Sequence, residues 1–138
     1  MNRRQALVLS LVAWMAIGLL WLTITHGFHP TWMLAVITTF ALVGAYASAA
    51  YFNHLVLIPR YLDLGRYCTY ALMLLATMLG LTGLALSVIR ISYLRVVGPD
   101  SDPNGLYKHF GIDLFGMAVH LALATAVVWM VQRALARR

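Results

Sequence analysis

The chain has 138 residues, of which 62% are hydrophobic and 10% charged, with no Glu. A soluble domain carries about 25% charged residues, so this surface is not built for water. The net charge of +6 lies at the ends of apolar runs, the pattern that orients membrane helices, which argues against nucleic acid and for a lipid bilayer as the partner.

Four apolar stretches, residues 5–25, 32–57, 70–94 and 112–131, each approach the roughly 20 helical residues that cross a hydrocarbon core. They are continuously apolar, whereas barrel strands alternate. The expected fold is therefore an all-α membrane protein, a single bundle of four transmembrane helices.

The first stretch follows Asn2-Arg3-Arg4. It outlasts the apolar core of a signal peptide, about 7–15 residues, and His26-Gly27-Phe28-His29-Pro30 offers no small-residue cleavage site. It reads as a retained span. The second opens after Pro30, with Thr31 as its cap, and Pro59 is expected to close it. Gly44, Ala45 and Ala49 place small residues along it, as Ala76, Gly80 and Gly83 do on the third span and Ala118, Ala122 and Ala126 on the fourth. In lipid such stripes let helices approach closely. Between spans three and four, Gly98 to Gly105 form a turn-rich loop. The lone Cys68, beside Arg66 and Tyr67, excludes an internal disulfide or a paired-thiol zinc site and reads as a plain interfacial residue.

Orientation follows from charge. Arg3, Arg4, Arg60, Arg66, Arg133, Arg137 and Arg138 lie on one side, and Arg90, Arg95 and Lys108 on the other. That bias predicts both termini in the cytoplasm. Trp21, Phe28, Trp32, Tyr67, Tyr70, Tyr93 and Trp129 near span ends read as an interfacial belt.

The chemistry-bearing residues concentrate in the outer half. His109, Asp113, Gly116 and His120 share one helical face. Ionisable groups at membrane depth normally face a bundle interior or a water-filled cavity. The face is thus either a ligand or signal pocket, or a satisfied His120 bonded to a hydroxyl or backbone carbonyl with Asp113 capping the helix start. Arg90 either snorkels or pairs with Asp113. His26 and His29 form a weak metal candidate, completed by His109 and Asp113. Haem would need two histidines at similar depth on different spans, and His120, the only histidine clearly inside a span, has no such partner. No cofactor is expected. Neither a nucleophile with its base nor a phosphate-binding glycine loop is present, so the chain itself is not expected to be an enzyme.

The stretch Tyr51-Phe52-Asn53-His54-Leu55-Val56-Leu57-Ile58-Pro59-Arg60-Tyr61-Leu62, followed by Gly65-Arg66-Tyr67 and Tyr70, resembles the end of the second span in LytS-like sensor histidine kinases, especially those of Bacteroidetes. Asn53, Leu57, Ile58, Pro59 and Arg60 carry the resemblance most closely. It implies a four-span input domain of a bacterial inner-membrane protein, a cytoplasmic kinase module in cis, and a homodimer. The chain departs from the family in lacking the Asn-Pro-His-Phe segment and the ATP-binding domain, and Gln132 to Arg138 reads as a helix interrupted while leaving the membrane, as in an excised domain. The expected role is a two-component sensor input relaying a signal through span four. The alternative is a small transporter or channel subunit, or a cofactor-binding membrane protein.

Overall fold

A computed structural model describes the backbone of residues 3–99 and 105–136, and the side chains of residues 8–99 and 110–130. The described residues form helices and short turns, with no strand among them. Helix α1 spans Arg3–Thr25, α2 Trp32–Phe52, α3 Tyr67–Val96 and α4 Gly105–Ala136. A π-helical segment, Asn53–Leu62, continues α2. Four helices are long and apolar enough to cross a membrane, as a multi-pass membrane protein requires. The fold is an all-α four-helix bundle.

Short connections make sequential neighbours antiparallel. Helix α2 is the hub, touching α1, α3 and α4, while α3 also packs on α4. The core cluster is Ala45, Tyr46, Ala49, Ala85 and Met117. Three alanines there bring backbones close, which matters because helices in lipid associate by packing rather than by the hydrophobic effect. Ala45 and Ala49 belong to the stripe expected on the second span. The stripe on the third behaves differently: a Cβ at Gly80 or Gly83 would meet nothing within 4 Å, and Thr82, Ala85 and Leu86 are buried instead. Helix α1 leans on α2 and leaves Leu9, Leu11, Val12, Leu19 and Leu20 exposed, a surface suited to lipid.

Thr31 caps α2 as its position suggested, its hydroxyl accepting from the Leu34 amide at 3.3 Å. Pro59 does not close the helix. The chain passes through it on widened turns to Leu62. A proline ring collides with the carbonyl four residues back in an α-helix and offers no N–H. Widening the turn shifts the bonding to the carbonyl five residues back, as in Asp63 N–H to Ile58 at 3.0 Å. The stop falls at Gly65, whose φ of 71° is left-handed. There Gly65 N–H reaches Leu62 at 3.0 Å and Arg66 N–H reaches Tyr61 at 2.8 Å, the paired bonds of a Schellman ending.

Helix α4 begins at Gly105, two turns before the apolar run. Asp113 therefore sits inside the helix and is not its cap. Residues 100–104 of the preceding loop, and the side chains of Arg3, Arg4, Lys108 and Arg133, lie outside the described residues, as do Arg137 and Arg138 entirely.

Candidate functional site

A cavity of about 650 Å³ opens among α1, α2, α3 and α4 at the end of the bundle away from the termini. His29, Arg90, Asp113 and His120 all line it, together with Trp21, Thr38, Thr39, Tyr46 and Tyr93. Four of the sequence candidates thus share one cavity from two helices and a loop. The distribution follows from the topology: α2 and α4 both start at this end, α3 and α1 finish there, and the polar residues of each lie in the half nearest the connecting loops.

His120 is held tightly. Its Nδ1 lies 2.8 Å from the Gly116 carbonyl, which can only accept, so Nδ1 carries the proton. Neutral His120 therefore keeps Nε2 as an acceptor. The Tyr46 ring stacks on the imidazole at 4.8 Å between centroids and 30° between planes, and Trp21 approaches from α1 at 6.3 Å. The Tyr46 hydroxyl donates to the Asp113 backbone carbonyl at 3.3 Å. Gly116 makes this possible, since a Cβ there would stand 2.9 Å from the Tyr46 oxygen.

Arg90 and Asp113 both line this cavity. His29 bonds through Nδ1 to the Tyr93 hydroxyl at the mouth. Burial pushes its pKa below the ordinary 6.5 by penalising the charged ring. A depressed histidine pKa means that the unfolded state binds the proton more readily. The stability His29 contributes is present above pH 6.5 and is lost as pH falls from there through the lowered folded value. The unfolding midpoint of the wild type should drop more steeply than that of His29→Gln when titrated downward from pH 7.5, and parallel curves would remove this role.

His26 is elsewhere: its Nδ1 lies 2.9 Å from the Thr23 carbonyl and its ring meets Trp32 edge-on at 5.6 Å. His109 stands on α4 one turn before Asp113, its side chain outside the described residues. Among the described residues no three metal-ligating side chains gather.

The family-like residues occupy the opposite end. Asn53 and Leu57 are buried, Ile58 is half-buried, and Pro59 and Arg60 are exposed. Asn53 is 2% exposed and ties three elements together. Its Oδ1 accepts from the Tyr70 hydroxyl at 2.9 Å, and its Nδ2 donates to Thr125 at 3.4 Å. The Thr125 hydroxyl in turn donates to the Leu121 carbonyl at 2.8 Å. The terminal half thus carries polar ties of its own.

Sequence reading missed Tyr46 as a wall residue. Its signal was a phenol near the middle of a span, where a hydroxyl needs a partner. Trp21, Tyr70 and Tyr93, read as belt residues, each contact another polar or aromatic side chain. No family model, characterised protein or solved structure matches the chain.

Proposed function

We propose that this bundle is the membrane-embedded input domain of a two-component sensor histidine kinase, receiving a ligand in the outer cavity and passing a shift of α4 to a cytoplasmic output. The observation that carries the reading is the cavity itself, in which α4 supplies Asp113, Gly116 and His120 while α2 and α3 supply the facing wall. An occupant touching both sides changes the packing of α4 against its neighbours, and packed helices respond by small shifts between discrete arrangements. The resemblance around Asn53 to Arg60 supplies the kinase class and the homodimer. The excess of basic residues on the terminal side supports cytoplasmic ends in a bacterial inner membrane.

A transporter or channel needs a path through the whole bundle. Below this cavity the interior is filled by Thr82 and Met117, both 1% exposed, and by Ala49 at 0%. That packing favours the sensor over a conduit.

The test is a chimera joining this chain to a histidine kinase module. His120→Ala or Asp113→Asn should change autophosphorylation by at least roughly fivefold, the low end of ordinary coupling energies. The unmodified chain in liposomes should pass no ions. Unchanged phosphorylation in both variants, with wild-type expression, defeats the proposal.

A further inference from the structure

We infer that the cavity takes a flat, uncharged, lipid-soluble molecule carrying a hydroxyl donor, of the phenol or hydroquinone class. The inference deepens the sensor reading and rests on it for the cavity being the receiving site.

The first support is the tautomer of His120. The Gly116 carbonyl holds the proton on Nδ1, which leaves Nε2 of this lining residue as the acceptor nitrogen. A ligand that donates satisfies it, and an aprotic ring does not. The second is shape. Tyr46 stacks on His120 and Trp21 leans over it, so this part of the cavity is walled by aromatic faces. Rings favour stacked or edge-on neighbours, so a planar guest in the cavity finds aromatic surface to pack against.

The third is Thr38. Its Oγ1 is buried and has no hydrogen-bond partner among the described residues, on a side chain of the cavity wall. Other helical hydroxyls, Ser48, Thr77, Ser87, Ser92 and Thr125, each return a bond to the carbonyl four residues back. Thr38 does not. Threonine in a helix has a second accessible χ1 rotamer, which would turn the hydroxyl toward a guest.

Charge decides against an ion. The described residues of the wall include one cation, Arg90, and one acid, Asp113. Burial keeps His29 neutral near pH 7. Neither sign is in excess among the described residues, so a charged guest gains little from them to offset its desolvation. The volume, about 650 Å³, lies within the range of small-molecule sites and leaves room for more than one ring.

The experiment uses the full chain in lipid nanodiscs with 1-naphthol and its O-methyl ether, two flat probes that differ in the donor. Binding is read by equilibrium dialysis against empty nanodiscs. Naphthol should saturate at one site per chain and bind about tenfold more tightly than the ether, which is about 1.4 kcal/mol. His120→Phe should reduce naphthol binding to the level of the ether and leave the ether unchanged. Equal binding of the two probes by the wild type overturns the inference without any variant, as does partitioning no greater than in empty nanodiscs. If the probes are not distinguished but His120→Ala still alters the kinase chimera, the ligand class is wrong and the sensor reading stands. If naphthol discriminates as expected and the chimera is silent, the sensor reading is wrong.

Discussion

Met117→Ala is expected to destabilise the bundle by about 2–4 kcal/mol, within the range for removing a large buried side chain. Met117 is 1% exposed and packs with Ala45, Tyr46, Ala49 and Ala85, where α2, α3 and α4 meet. Three of these four neighbours are alanines, which cannot extend to fill the space. The Thr82 hydroxyl, 3.7 Å from the Met117 sulfur, loses a weak acceptor. That part is cheap, because the hydroxyl can turn to a backbone carbonyl of its own helix. The larger part is lost dispersion contact, which in lipid carries the role that apolar burial has in water. Phe115→Ala is the control: Phe115 is 72% exposed on the same helix and should cost under about 0.5 kcal/mol. Reversible unfolding in mixed micelles measures both, and equal losses would show that Met117 is not a core residue. Because Met117 adjoins Gly116, the variant should also loosen the seat of Tyr46 and His120.

The four helices were readable because each requires a long uninterrupted apolar run, and bilayer thickness sets its length. Thr31 was readable for a local reason, since a hydroxyl before an apolar run has one obvious use. Asp113 and His120 face one cavity for the reason the cost of charge in lipid suggests, while Arg90 lines it from an exposed position. Pro59 misled because a proline was read as a stop, whereas the helix absorbs it by widening its turns. That choice depends on what the freed carbonyls find, which is not a local property. Tyr46 was missed for a similar reason. Its partners, the Asp113 carbonyl and the His120 ring, lie on α4, more than sixty residues away. The small residues of α3 show the limit of stripes: Gly80 and Gly83 fit a close-approach pattern yet face outward, because α3 meets its neighbours through Thr82, Ala85 and Leu86 instead.

Replacing Asn53 with Leu should cost about 1–3 kcal/mol even though the two side chains are similar in size. Asn53 is the buried joint of the terminal half, linking the π-helical segment to α3 through Tyr70 and to α4 through Thr125. Leucine fills the volume but leaves the half-buried Tyr70 hydroxyl without its acceptor. The Thr125 bond is long at 3.4 Å, and Thr125 keeps its own bond to Leu121, so that side of the network loses less. A double-mutant cycle isolates the stronger link. Tyr70→Phe alone should destabilise, and in the Asn53→Leu background it should cost much less, with a coupling of about 0.6–1.7 kcal/mol, as for hydrogen bonds between membrane helices. Additive losses would mean that the Tyr70 and Asn53 side chains do not act together. Asn53 also sits where α2 changes from tight to wide turns, its amide shared between the Ala49 and Ala50 carbonyls. An apolar residue there removes the side chain that anchors the wide segment while leaving Pro59 to enforce it. Hydrogen exchange should therefore rise through residues 53–62 in Asn53→Leu before it rises in α3, and protection lost uniformly along the chain would assign Asn53 to general packing.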